Sequence, residues 1–492
     1  MDKKAMDFKQ LTEEAGKGRP VKVHSGQIEP GDIFVAMPGT RFDGAGFISD
    51  ALKRGAAWVV AGPGQADVYP GGKVLTHENP ALALGDLARA MYGTDRLSLG
   101  LIGITGTNGK TTTAYLLEHI FQKSGFKTGV IGTVNYRWAD KILDAAMTTP
   151  DCLKLHEMLS IMDKDGVEMV IMEVSSHALD QNRACGIDFD AGVFTNLSQD
   201  HLDYHRDMEK YFQAKSKLFL NPEKKSSFQA VINADDKYGK RLISSVPRAM
   251  GFGLHESGGL DLKGRLLRND RTGISLECAY KGQQWVIHSS LCGRHNGYNL
   301  LAAQGAALSM GLGPEHFACL ESFGQTPGRL EKVLNDLNLD IYIDYAHTPD
   351  ALENVCLALK GLDFERIIVV FGCGGNRDKT KRPLMGKAVA ALADVVFLTS
   401  DNPRDEDPES IIKDIMPGLI TCPELYIEPD RSRAIKMAVG FMKPRDALLV
   451  AGKGHETYQE VKGLRSPFSD LRVVEQALAE QREKTNTGLR TL

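Results

Sequence analysis

Apolar positions in this chain fall into short continuous runs separated by stretches with three-to-four-residue periodicity. Residues 1–98 carry the strand-length runs DIFVAM (32–37), WVVA (58–61) and KVLT (73–76), interleaved with helix-spaced segments such as PALALGDLARAM (80–91). This predicts a small α/β unit. From 99 the pattern restarts with LGLIGIT, a glycine-rich turn, a helix over 110–124 closed by Gly125, and a strand in TGVIGT. EMVIMEV (168–174) and DAGVFTN (190–196) continue a central sheet. Alternation around 255–290 predicts antiparallel strands at its edge, and the loop FGQTPGR (323–329) closes the unit.

Beyond that loop, YIDY, ERIIVVFGCGG, ADVVFLTSDNPR, CPELYIEPD and DALLVAGKGHE alternate with helical stretches, which predicts a second parallel sheet. The tail EKTNTGLRTL is expected to fray. The fold class is therefore α/β with three domains, bounded at 1–98, 99–327 and 328–492. A length of 492 residues agrees, since about 150 residues per domain gives three.

Charge and cysteine content narrow the function. Lys plus Arg at 59 against Asp plus Glu at 63 leaves a net charge of −4 without a basic stripe, so small-molecule chemistry is expected and nucleic acid is not. The charged start MDKKAMDFKQLTEEAGKGR and the lack of any run of about 18 apolar residues predict a cytoplasmic protein without a transmembrane segment. Eight cysteines without a CxxC pair fit isolated reduced thiols.

GITGTNGKTTT (103–113) follows a strand and opens a helix, so backbone amides and the helix N-terminus can face an anion while Lys110 adds a point charge. The general phosphate-loop pattern wants glycine where this chain has Ile104, so the match is to the tighter variant GTNGKTT. Thr111 takes the place of the hydroxyl that coordinates magnesium, and Asn108 and Gly109 shape the loop.

Glu173 ends a predicted strand in EVSSH, where a carboxylate can hold a hard cation or simply meet solvent. His201 and His205, four apart in TNLSQDHLDYH, could read as a zinc pair or as structural histidines. In DMEKYFQAKSKLFL (207–220), Lys215 has Tyr211, Phe212, Leu218 and Phe219 at helical spacing around it. Such a lysine either snorkels to solvent, the commoner case, or points inward as a reactive amine.

Three later loops, GCGGNRD (372–378), SDNPR (400–404) and GKGHE (452–456), follow predicted strands and should emerge at one carboxyl edge. Arg377, Arg404 and Glu456 become candidates for a single pocket that holds carboxylates and an ammonium. Arginine suits a carboxylate through its planar fork, and Pro403 fixes the backbone before it.

Taken together, GTNGKTT, EVSSH, TNLSQDHLDYH, the AK pair at 214–215, GRHNGYN (293–299), PGRLE (327–331), DYAHTPD (344–350) and DNPR resemble the Mur ligase family, in order and spacing over nearly the whole chain. The resemblance implies a uridine-nucleotide-binding N-terminal domain, a central parallel-sheet, P-loop-like ATPase domain and a Rossmann-like C-terminal domain that brings an amino acid. DNPR implies that diaminopimelate is added to UDP-N-acetylmuramoyl-L-alanyl-D-glutamate; a monomer is expected, and the family resemblance as a whole implies ATP and Mg2+ as cofactors. It also implies that Lys215 is carbamylated and joins Thr111, Glu173 and His201 at metal, reversing the snorkelling preference, with Lys110 at the phosphates.

Carried over by position, ATP contacts fall on Thr107, Asn108, Gly109, Lys110, Thr111, Thr112 and Thr113, and on Asn296, Asn299, Arg329 and Asp344. UDP-muramoyl-dipeptide contacts fall on Ser25, Thr148, Thr149, Ser175, Gln181 and Arg183. Diaminopimelate contacts fall on Arg377, Asp401, Asn402, Pro403, Arg404, Gly452 and Glu456. Two positions depart from the family pattern: Met147 stands where asparagine is usual, and His295 stands where phenylalanine is usual.

Overall fold

Four strands, Val21–Lys22, Ile33–Val35, Trp58–Ala61 and Val74–Thr76, run parallel in sequence order. The computed structural model describes residues 7–39, 43–69, 73–220, 225–255 and 259–489. Helix Pro80–Tyr92 covers one face of this first sheet. Asn79 caps it by accepting from the amides of Ala81 and Leu82, Pro80 sits in its first turn, and Gly93 ends it at φ 66°.

The central sheet has eleven strands. Its middle is parallel and buried on both faces, which is why GLIGIT and MVIME read as unbroken apolar runs instead of alternating. Gly100–Thr105 lies between Met169–Glu173 and Ala191–Phe194. The loops leaving these three neighbours therefore share one edge. The antiparallel strands predicted around 255–290 are Leu262–Asp270, Gly273–Tyr280 and Gln283–Ser289.

The sheet also has a second antiparallel edge, Asn135–Trp138 and Lys141–Asp144, which the apolar pattern did not announce. Lys141–Asp144 is exposed throughout, so no buried face imposes a hydrophobic period on it.

The third sheet places Asp340–Asp344, Asp446–Ala451, Arg366–Phe371, Val395–Leu398 and Glu424–Ile427 in parallel, with Glu331–Lys332 as an antiparallel edge. A separate hairpin, Tyr458–Val461 with Leu464–Pro467, follows it. Lys462 and Gly463 both take positive φ at its two-residue turn, the handedness that matches strand twist. Helix Asp470–Leu489 packs through buried Val473, Val474, Ala477 and Leu478 and takes in most of the tail expected to fray, whose last residues, 490–492, lie outside the described residues. None of the eight cysteines, all of them among the described residues, forms a disulfide.

Candidate active site

The adjacent strand ends gather the predicted phosphate loop, Glu173 and the 195–201 segment at one place. Register pairs Ile104 with Glu173 on one side and Phe194 with Thr105 on the other. The loop is tied to the neighbouring strand end. Thr195 Oγ1 donates to Asn108 O at 2.6 Å, Asn108 N donates to Asn196 Oδ1 at 3.0 Å, and Thr107 N donates to Asn196 O at 2.9 Å.

Gly109 takes φ 87°, and a Cβ there would run into Asn299 Oδ1. Asn299 in turn donates to Asn296 Oδ1 at 2.9 Å, and Asn296 donates to Cys292 O at 2.8 Å, so GRHNGYN braces the loop from the helix Arg294–Ser309. Gly109→Ala is expected to raise KM for ATP by about tenfold or more, given roughly 1–3 kcal/mol of backbone strain plus the clash. Steady-state kinetics beside a thermal melt separate this local effect from unfolding.

Glu173 is 1 % exposed and fully engaged. Thr111 Oγ1 donates to its Oε2 at 3.0 Å, Thr133 Oγ1 donates to the same oxygen at 2.9 Å, and Thr133 N donates to Oε1 at 2.9 Å. Gly132 makes room, since a Cβ there would stand 2.5 Å from Oε1. Thr133 is a residue that sequence reading missed; the available signal was a Gly-Thr pair closing the strand in TGVIGT.

Lys215 does not snorkel. It is 1 % exposed, and its Nζ donates to Gly106 O at 2.9 Å, while Lys110 Nζ donates to that carbonyl and to Thr107 O, each at 2.8 Å. Burial pushes the Lys215 amine well below the ordinary lysine range, and the neighbouring Lys110 charge adds to the shift. Burial lowers Lys110 as well, opposed by Glu173. His201 sits at φ 54°, with burial lowering its imidazole and Asp200 partly opposing. His205 instead pairs with Ser176 Oγ at 2.9 Å.

A cavity of about 830 Å³ opens over this edge. Its lining includes Thr107, Asn108, Gly109, Lys110, Thr111, Thr112, Glu173 and His201, together with Asn296, Asn299, Arg329, Asp344, Thr148 and Ser175. The third sheet's segments form the opposite wall. Arg329 NH2 donates to Thr111 Oγ1 at 3.2 Å, and its guanidinium lies 4.8 Å from the Tyr345 ring centroid. Asp344 accepts from Leu330 N at 2.6 Å and Ala346 N at 2.7 Å, and burial raises its carboxyl. Asp350 accepts on Oδ2 from Asn108 Nδ2 at 3.1 Å and from Ser198 Oγ at 2.6 Å.

Thr113 and Lys215 do not line the cavity; both are buried in its supporting wall. Thr149 is also buried, and its hydroxyl is taken: it donates to Glu173 O at 2.8 Å and accepts from Ser175 N at 3.1 Å. Gln181 and Arg183 pair with each other, Arg183 Nε donating to Gln181 Oε1 at 3.0 Å. Arg183 NH1 also reaches Met147 Sδ at 3.1 Å, so the unusual methionine sits against this pair. Ser25 lies on a turn of the first domain, away from the cavity lining. His295 lines the cavity, and burial lowers its imidazole to about 4.

The three loops of the third sheet leave its carboxyl edge together. Arg404 takes φ 52° and NH1 donates to Gly375 O at 2.8 Å. Asn402 Nδ2 donates to Glu456 Oε2 at 2.8 Å. A Cβ on Gly452, which has φ 119°, would lie 2.6 Å from Asp401 Oδ2, so the glycine lets these two loops meet. Pro403 is buried and Arg377 is exposed. Glu406 belongs to the scaffold: it accepts from buried Arg382 at 2.9 and 3.0 Å and from Asn376 N at 2.5 Å. Arg382 holds its carboxyl down at about 2.

Among the described residues, no helix is long and apolar enough to cross a membrane. No group of three His, Cys, Asp or Glu side chains there is placed to hold a metal ion. The donors near the loop are instead a carboxylate and hydroxyls, which suit a hard cation that also takes ligand oxygens from bound phosphates.

Residues 104–307 match the Mur ligase middle domain, 328–454 the Mur ligase glutamate ligase domain, and 20–92 the Mur ligase family catalytic domain. The chain is 50 % identical over 459 residues to a UDP-N-acetylmuramoyl-L-alanyl-D-glutamate–2,6-diaminopimelate ligase of Lawsonia intracellularis, covering 93 % of this chain and 95 % of the relative. It is 45 % identical to the Aquifex aeolicus protein of that name, covering 93 % of each. A solved structure of a ligase so named aligns with a TM-score of 0.68 at 32 % identity, over 94 % of this chain and 95 % of the other. With three domain matches in order and relatives this similar along nearly its full length, the chain belongs to the Mur ligase family.

Proposed function

We propose that this protein is an ATP-dependent ligase that joins meso-diaminopimelate to UDP-N-acetylmuramoyl-L-alanyl-D-glutamate, in the cytoplasm, as a step of peptidoglycan precursor synthesis. The observation that carries the reading is the cavity where the lysine loop, Glu173 and Arg329 meet across two domains. The relatives' names supply the acceptor and donor.

In the reaction, an oxygen of the D-glutamyl carboxylate attacks the γ-phosphorus of ATP and the bond to the ADP oxygen breaks. The amine nitrogen of diaminopimelate then attacks the acyl carbon, phosphate leaves, and the nitrogen loses a proton. Two anions must first approach each other. Lys110, Arg329 and the loop amides at Asn108–Thr111 offset that repulsion and hold the phosphates in line. Asn296 and Asn299 keep the loop in shape, and Asp344 fixes the turn that carries Arg329.

Thr111, Glu173, His201 and Lys215 as its carbamate would hold magnesium, which when bound supplies charge neutralisation to the phosphates. The buried Lys215 amine fits this use, because an amine held neutral by burial can add through its nitrogen lone pair to carbon dioxide and release an N–H proton to solvent, leaving an anionic oxygen donor. Ser25, Thr148, Ser175, Gln181 and Arg183 take the muropeptide, with Thr149 supporting Ser175 from behind. Arg404, Arg377, Asp401, Asn402, Pro403, Gly452 and Glu456 form the amino-acid site.

Phosphate release is expected only when ATP, the UDP-muramoyl dipeptide and diaminopimelate are all present. Release that does not depend on the amino acid would reject the ligase reading in favour of a nucleotide-binding regulatory protein. Release driven by lysine instead would correct the acceptor.

A further inference from the structure

Lys453, in the loop 452–456, is fully buried and is not among the residues assigned to any ligand above. Its Nζ donates to Asn402 Oδ1 at 2.9 Å and to Glu456 Oε2 at 3.1 Å, and it lies 3.7 Å from Asp401 Oδ1. One ammonium thus touches three members of the amino-acid site on two separate loops.

These contacts have two effects. Asn402 has an amide whose two ends could exchange. With Lys453 Nζ and Glu460 N both donating to Oδ1, the latter at 2.9 Å, the oxygen is fixed on that side and Nδ2 must face Glu456. The ammonium also stands between the carboxylates of Asp401 and Glu456, which would otherwise repel each other. The cluster then carries one net negative charge instead of two, and Glu456 Oε1 has no hydrogen-bond partner among the described residues.

We propose that Lys453 is a positioning residue for the incoming amino acid: it locks the orientation of Asn402 and seats Glu456, so that one carboxylate oxygen stays available for a substrate ammonium. This rests on the ligase reading and deepens it. The hairpin Tyr458–Pro467 completes the arrangement. Gln459 Nε2 donates to Asp401 O at 2.7 Å, Arg404 N donates to Glu460 O at 3.0 Å, and Lys462 N donates to Arg404 O at 2.6 Å. Residues 401–404 are therefore held from Lys453 on one side and from the hairpin on the other.

The test is steady-state kinetics of Lys453→Met, Asn402→Leu and the double variant, with thermal melts. The expected result for Lys453→Met is a rise in KM for diaminopimelate of roughly tenfold or more, with KM for ATP within about twofold of the parent, as loss of charge-assisted bonds at one site predicts. The double variant should be little worse than the worse single one, because both remove the same constraint. Unchanged KM for diaminopimelate, a parallel rise in KM for ATP, or fully additive losses would each overturn the proposal. If Lys453→Met does not fold, Lys453→Gln, which keeps a donor for Asn402 Oδ1, is scored by the same criteria. A parent enzyme that fails to use diaminopimelate rejects the ligase reading itself, so the two failures are distinguishable.

Discussion

Lys215→Ala is expected to lower kcat by about 10³-fold, equivalent to roughly 4 kcal/mol of transition-state stabilisation. The protein should stay folded. Lys215 is buried against Tyr211, with its Nζ 4.6 Å from that ring's centroid, and it shares Gly106 O with Lys110. Two amines donating to one carbonyl in a dry wall favour the native state little, and removing one relieves a desolvated polar group. The melting temperature should therefore move by only a few degrees or rise, which separates lost chemistry from lost structure.

The carbamate reading makes a second demand on the same variant. Bicarbonate at high concentration cannot restore an oxygen donor where no amine remains, whereas small carboxylic acids that enter the vacated space should recover part of the rate. Full activity of Lys215→Ala would remove the carbamate from the mechanism. Rescue by bicarbonate alone would assign the effect to something other than a bound carboxylate.

Arg404→Ala is expected to cut kcat/KM for diaminopimelate by about 10²-fold or more while leaving the low rate with lysine nearly unchanged. Each charged hydrogen bond lost costs roughly 1.5–3 kcal/mol, and a two-bond fork to a distal carboxylate is the geometry arginine offers. Arg404 is suited to this because its backbone is fixed on both sides by the hairpin, at a left-handed φ that a loose loop would abandon. Rates with diaminopimelate, lysine and ornithine measure the discrimination directly. A variant that keeps the parent's preference would place the distal carboxylate on another residue, with exposed Arg377 the next to examine.

Much of this site was legible because parallel sheets obey simple rules. Unbroken apolar runs marked the buried strands, and Glu173 at a strand end, with Lys110, Arg404 and Glu456 in the segments that follow strand ends, lies at the carboxyl edges of the two sheets. What stayed hidden depended on contacts between segments far apart in sequence. Helical spacing put Lys215 on an apolar face but could not say that the phosphate loop faces it. Thr133 and Lys453 carry no pattern of their own, since their importance comes from one carboxylate and one amide supplied by other loops. The hairpin 458–467 escaped because its strands are short and largely uncovered, with a polar sequence.

Glu406 illustrates the converse. Within the acidic stretch after Arg404 it is one more carboxylate beside Asp405, yet the buried Arg382, 24 residues earlier in the chain, claims it for the scaffold.

Asp350 has a consequence for nucleotide binding. A single carboxylate oxygen from the third domain takes up the side-chain amide of Asn108, in the middle of the phosphate loop, and the hydroxyl of Ser198 beside it. An incoming triphosphate must negotiate with that carboxylate for the same amide. Nucleotide binding at the loop and the contact that Asp350 makes with it then depend on one side-chain amide, so a change in either alters the other.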